Sequence, residues 1–154
     1  MFWKKSKNST FKNAIALDLI KKYEGCELKA YQCPASKWSI GYGCTVYENG
    51  TPVTPGDKIT QARAEQLLED YLLKNVYPHI DGMGFTENQT AALASLIYNI
   101  GWPAFSKSQC WKAIKKKDWA EAFLNWDWIS AGKKPLKGLI KRRAEEVALF
   151  MKDI

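Results

Sequence analysis

The chain has 154 residues, 46% hydrophobic and 25% charged, with 23 basic against 16 acidic side chains and a net charge of +7. A chain of this size buries roughly 68–70% of its unfolded surface, so it needs neither disulfide nor metal to fold, and one domain is expected over residues 1–154. The positive balance suits an anionic partner such as nucleic acid, a membrane surface or an acidic wall polymer, but the lysines are scattered rather than gathered on a nucleic-acid motif, which argues against nucleic acid.

Thr10 to Glu24 has the spacing of an amphipathic helix, with Phe11, Ile15, Leu19 and Tyr23 on one stripe and Gly25 as its stop. From Leu28 to Val53 the texture changes to glycine, proline and β-formers. A small antiparallel sheet is predicted there, with Asn49-Gly50 as a hairpin turn. After Pro55-Gly56 everything reads as helix. Thr60 can cap a helix running to about Tyr77, and Thr86 with Gln89 forms a capping box before "AALASLIYNIG". Ser106 with Gln109 and Asp118 with Glu121 repeat that start signal, and a last helix follows Gly138. Lys115-Lys116-Lys117, the one dense basic run, reads as a solvated helix end. The expected class is α+β: a small lobe over about 10–57 and a helical lobe over about 60–152, with a ligand cleft between them.

The longest apolar stretch, Ala91 to Ile100, is about half a membrane span. The short segment after Met1–Lys7 carries Asp18, which does not suit an export signal. A soluble chain made in the cytoplasm, without stable membrane insertion, is expected. The four cysteines (Cys26, Cys33, Cys44, Cys110) then read as free thiols, and without a C-x-x-C pair they suggest no metal site. Most of the seven tryptophans should be core, with a few free to stack on sugars at a cleft. The single histidine, His79, follows Tyr77-Pro78 and is placed on a surface turn.

Glu24 ends a helix where the chain turns into the sheet. Its carboxyl could face the cleft and act as a proton donor, although a lone glutamate more often is a solvated charge. The stretches "EGCELKAYQCP" and "WSIGYGCT" closely resemble the phage-type lysozymes, glycoside hydrolase family 24, whose pattern is Glu-Gly, an acid nine positions after the Glu, and Thr-x-Gly-x-Gly-His. "QTAALASLIYNIG" resembles the family's central buried helix, "FSKSQCWKAIKKKDWAEAFLNW" its next two and "GLIKRRAEEVALF" its closing helix, so the likeness runs from about Thr10 to Phe150.

The resemblance implies a lysozyme-like fold and a cofactor-free muramidase of phage or prophage origin, acting on peptidoglycan as a monomer. Lacking a convincing export signal or anchor, such an enzyme is expected to need a separate membrane-permeabilising protein, such as a holin, to leave the host cytoplasm. By residue it places Glu24 as general acid and Arg142 as the arginine that orients it, with Arg143 as rival. It places Tyr98, Asn99, Ser108 and Asn125 at sugar contacts, where core packing or capping is an equal reading. Three positions depart from the family. Cys33 replaces the aspartate, Ser39 the threonine and Cys44 the histidine, so the implied catalytic set is Glu24, Cys33 and Ser39.

A free thiol is only a few per cent thiolate at pH 7. Cys33 could therefore be a nucleophile, a group that helps Ser39 aim a water, or inert, leaving a wall-binding module. Water positioning is favoured, because a thioglycoside is hard to cleave again. Glu27 and Glu48 are the nearest spare carboxylates, and Cys33 could pair with Cys26 or Cys44 on oxidation.

Overall fold

The computed structural model describes residues 11–154. The predicted helix start at Thr10 lies outside them. Helix α1 spans Ala14–Glu24, and the Asn13 side chain caps it by accepting from the Ala16 N–H at 3.0 Å. The same side chain donates to the Glu87 carbonyl at 2.9 Å, which ties the start of α1 to the start of the central helix. Gly25 ends α1 with φ 64° and ψ 157°, a conformation essentially confined to glycine. The chain then enters the sheet.

Strands β1 (Glu27–Gln32) and β2 (Trp38–Gly41) pair antiparallel, with Tyr31 opposite Ser39 and Gln32 opposite Trp38. Their turn closes through Cys33 N–H to the Lys37 carbonyl at 2.8 Å and Ser36 N–H to the Cys33 carbonyl at 2.9 Å. The predicted sheet is shorter than the β-texture suggested. Beyond Gly41 three isolated bridges continue it, Ile40 with Cys44, Val46 with Pro52 and Lys29 with Lys58. The turn at Asn49-Gly50 does form, with Gly50 N–H donating to the Tyr47 carbonyl at 2.9 Å and Gly50 at φ 85°.

Helix α2 (Gln61–Asn75) starts at Thr60, whose hydroxyl accepts from Arg63 N–H at 3.1 Å. It stops short of Tyr77. That residue opens the one-turn helix α3 (Tyr77–Ile80), because Pro78 has no N–H for the ladder and suits a first helical turn. His79 is exposed on α3 rather than on a turn, and stacks on Trp102 with ring centroids 4.2 Å apart.

Helix α4 (Glu87–Ile100) has both halves of the Thr86–Gln89 capping box, and Ala91 to Ile97 are all buried. It is the axis of the fold. Ala16, Leu17 and Ile20 of α1 and Leu68 and Leu72 of α2 share one core with it. Helices α5 (Trp102–Ser106), α6 (Gln109–Lys115) and α7 (Trp119–Leu124) follow. Ser106 does not cap α6. It is spent in α5, where its hydroxyl donates to the Pro103 carbonyl, and Ser108 supplies the cap by accepting from Trp111 N–H at 3.0 Å. Asp118 caps α7 as predicted, and Lys115 to Lys117 form the exposed end of α6.

A short hairpin, β3 (Ser130–Ala131) with β4 (Lys134–Pro135), interrupts the expected all-helical run. Its turn carries Gly132 at φ 66°. The last helix, α8 (Lys137–Met151), begins one residue before Gly138, with Leu136 at the cap position. Phe150 packs against Phe85, Trp119, Phe123 and Trp126 and anchors this helix in the core. A second, smaller cluster of Ile40, Val53 and Leu67 lies between the sheet and α2. No described helix is long and apolar enough to cross a membrane.

Candidate active site

A cleft of about 670 Å³ is lined by Glu24, the segment Tyr42–Glu48, one face of α2 from Leu67 to Asn75, and Tyr98 and Asn99 of α4. Glu24 reaches it because α1 stops there and Gly25 turns the chain away. Arg142 of α8 donates from Nη1 to Glu24 Oε1 at 2.6 Å. This guanidinium is buried while the Glu24 side chain is 23% exposed, so a fixed charge from the core holds a carboxyl that still meets solvent. Glu24 Oε2 has no hydrogen-bond partner among the described residues.

Behind Arg142 lies a buried polar network. Arg142 Nε donates to Ser95 Oγ at 3.3 Å and Nη2 to the Ser95 carbonyl at 3.1 Å. Ser95 Oγ donates to Glu146 Oε2 at 2.6 Å, and Trp126 Nε1 to Glu146 Oε1 at 3.2 Å. Arg143 faces elsewhere: its Nη1 donates to Asn99 Oδ1 at 2.9 Å and its Nη2 to Glu146 Oε2 at 3.1 Å. Arg143 Nε lies 2.7 Å from Glu146 Oε1 without an aligned N–H, so that contact is ionic rather than a hydrogen bond. Burial pushes the Glu146 carboxyl up and the Arg143 guanidinium down, and their mutual attraction opposes both shifts.

Cys33 and Ser39 come together across the β1–β2 turn, with Sγ and Oγ 2.8 Å apart. Ser39 is buried and Cys33 half-buried. Neither lines the cleft volume itself. Tyr31, which sequence reasoning did not single out, lies opposite Ser39 in the sheet and feels Cys33 and Glu24. Burial raises its hydroxyl most, the charges of Cys33, Glu27 and Glu24 add to this, and the Ser39 hydroxyl opposes it. Its place opposite Ser39 in the strand register was the available signal.

The remaining candidates separate. Tyr98 sits on the cleft floor, its hydroxyl donating to the Tyr42 carbonyl at 2.5 Å and raised by burial first and by Glu24 second. Asn99 lines the cleft beside it. Ser108 caps α6, and the Asn125 side chain bonds back to Glu121, so both are occupied by their own helix ends and lie outside the cleft lining.

Cys44 does line the cleft. Its thiol donates to the Val46 carbonyl at 3.0 Å and is raised chiefly by burial. Cys26 bonds Gln61 Oε1 at 3.6 Å, and all four cysteines are free. Glu48 is held by Arg63 at 2.5 Å, and Glu27 is exposed on β1. None of the six described tryptophans lines the cleft; tyrosines at 42, 47, 71 and 98 supply its aromatic surface instead. Among the described residues no cluster of His, Cys, Asp and Glu could hold a metal ion.

The family model described as phage lysozyme matches residues 21–146, which takes in Glu24, Cys33, Ser39 and Arg142. The chain is 41% identical over 144 residues to an endolysin of Acyrthosiphon pisum secondary endosymbiont phage 1, covering 87% of this chain and 93% of that protein. It is 36% identical over 137 residues to the endolysin of Salmonella phage P22, covering 86% and 92%. Among solved structures, the muramidase domain of SpmX from Asticcacaulis excentricus superposes with a TM-score of 0.79 at 32% identity, over 90% of this chain and 96% of that one. An arginine-held glutamate at the end of α1, in the lining of such a cleft, therefore sits in a chain whose sequence and fold agree on one assignment: the protein belongs to the phage lysozyme family.

Proposed function

We propose that the protein is an endolysin-type muramidase that hydrolyses the β-1,4 bond between N-acetylmuramic acid and N-acetylglucosamine in peptidoglycan. The observation that carries this is the Arg142–Glu24 pair at 2.6 Å on the wall of the cleft. Arg142 occupies Oε1, which leaves Oε2 to carry the proton that passes to the departing glycosidic oxygen. The positive charge that develops on the sugar then invites a water on its far face. Cys33 Sγ and Ser39 Oγ, 2.8 Å apart, hold and aim that water, whose proton passes through the pair to solvent as the new C–O bond forms. This order of events inverts the anomeric carbon.

In the same reading one domain of two lobes works as a monomer. It accumulates in the host cytoplasm and meets the wall once a separate holin opens the membrane. The +7 charge favours approach to an anionic wall.

Clearing of purified cell walls tests the assignment with four proteins: wild type, Glu24→Gln, Cys33→Ala and Cys33→Asp. Glu24→Gln should be inactive, Cys33→Ala severely impaired and Cys33→Asp active. A wild type that binds walls and never clears them would replace the enzyme with a binding module.

A further inference from the structure

Tyr71 of α2 is 46% exposed, yet it lies in the wall of the cleft that holds Glu24. Its ring stands nearly perpendicular to that of Tyr98, with centroids 5.2 Å apart and planes at 83°. Tyr98 is itself fixed by its hydroxyl bond to the Tyr42 carbonyl. The Tyr71 ring is thus braced by a fixed neighbour while nearly half of the residue's surface stays open. Val46, 51% exposed, is the only other large apolar side chain that is both exposed and in the cleft lining among the described residues.

Next to Tyr71 on the same wall, Asp70 has no hydrogen-bond or ion-pair partner among the described residues. Lys74, one turn on, reaches the Glu48 carbonyl at 3.3 Å and forms no ion pair with Asp70. An apolar ring face beside an unengaged carboxylate is complementary to a hexosamine. A pyranose chair presents C–H groups on one face and hydroxyl and amide hydrogens on its edge.

We propose that Tyr71 and Asp70 form a sugar subsite in the cleft, the Tyr71 ring stacking on the apolar face of an N-acetylhexosamine and the Asp70 carboxylate accepting its O–H or N–H hydrogens. The proposal rests on the muramidase reading for its choice of ligand. Tyr71 here determines substrate affinity; it takes no part in bond breaking.

The probe is the N-acetylglucosamine tetramer, titrated into Glu24→Gln protein, which should bind without cutting, with intrinsic fluorescence as readout. Tyr71→Ala in that background should weaken binding about three- to tenfold. Asp70→Asn should weaken it similarly, and Tyr71→Phe should bind within about twofold of the parent. In the otherwise wild-type enzyme the Tyr71→Ala loss on wall fragments should fall on KM rather than kcat. Thermal melting of each variant accounts for any change in folded fraction.

Binding unchanged by Tyr71→Ala overturns the subsite, as does a Phe variant as weak as Ala, or a defect confined to kcat. A wild type that binds the tetramer through Tyr71 but clears no walls keeps the subsite and removes the hydrolytic reading. A Glu24→Gln protein that binds no tetramer removes the subsite alone if the wild type still clears walls.

Discussion

Replacing Arg142 by alanine should be among the most damaging single changes in this protein. The side chain is 3% exposed and donates to Glu24, to Ser95 Oγ and to the Ser95 carbonyl. Removal leaves the buried Ser95 hydroxyl and the Glu24 carboxyl without that donor and leaves Glu146 with Arg143 as its only cation. Breaking a buried ion pair from one side costs about 3–5 kcal/mol. At about 2–4 °C per kcal/mol for a chain this long, the melting temperature should fall by roughly 6–20 °C.

Urea unfolding at neutral pH measures the loss, and a double-mutant cycle with Glu24→Gln isolates the part that belongs to the Arg142–Glu24 pair. Because the Glu24 side chain is 23% exposed, that coupling should be about 1 kcal/mol, near the low end of the range for contacting groups. Arg142→Lys keeps the charge and loses the planar fork, so an intermediate loss is expected. A cost for Arg142→Ala below about 1 kcal/mol would refute the claim that the network is tightly coupled. A coupling of zero would show that Arg142 serves the core and does not hold the acid.

Gly25→Ala meets no atom within 4 Å, so its cost is conformational alone, about 1–3 kcal/mol, read by denaturant unfolding, with a fall in wall clearing because Glu24 is the preceding residue. Leu93→Ala, at a fully buried position of α4, should cost about 2–5 kcal/mol in the same assay. Burial first, and then the bonds to Glu145 and Asp57, push the hydroxyls of Tyr23 and Tyr47 up to about 12. Their folded values lie above the unfolded value near 10, so the stability they add is complete below about pH 10 and is lost as pH rises toward 12. Absorbance at tyrosinate wavelengths should accordingly lag behind that of the unfolded chain in this window. At the acid end, the bond from Lys21 lowers the Glu65 carboxyl, so its contribution is present above about pH 4.3 and fades as pH falls through the lowered folded value. Lys21→Met should flatten that part of the acid unfolding curve.

The helices that carry strong local signals were readable from the chain. Thr60 and Thr86 precede apolar periodicity with a side chain of the right length to cap, and the structure uses both. Ser106 and Gly138 misled for a shared reason. A start signal is local, but which serine or glycine serves is decided by neighbouring elements, here by Pro103 opening α5 and by the hairpin that feeds α8. The cleft's aromatics were misassigned from composition. Tryptophan's larger apolar area draws it inward, as at Trp111 and Trp126, and leaves the wall to tyrosine. Glu24 and Arg142 lie 118 residues apart, and no periodicity joins them; only resemblance to a known pattern put both on one list.

The acid and the sulfur are mounted on different supports. Glu24 is clamped to a helix packed into the core, while Cys33 rides at the tip of a two-stranded ribbon closed by a tight turn. Its partner Ser39 is buried in β2, whose Ile40 packs with Val53 and Leu67, so only the sulfur's side of that contact stands on the turn. Exchanging one chemical group for another at position 33 therefore leaves the helix and core contacts beneath Glu24 untouched, and the two positions can drift separately over generations.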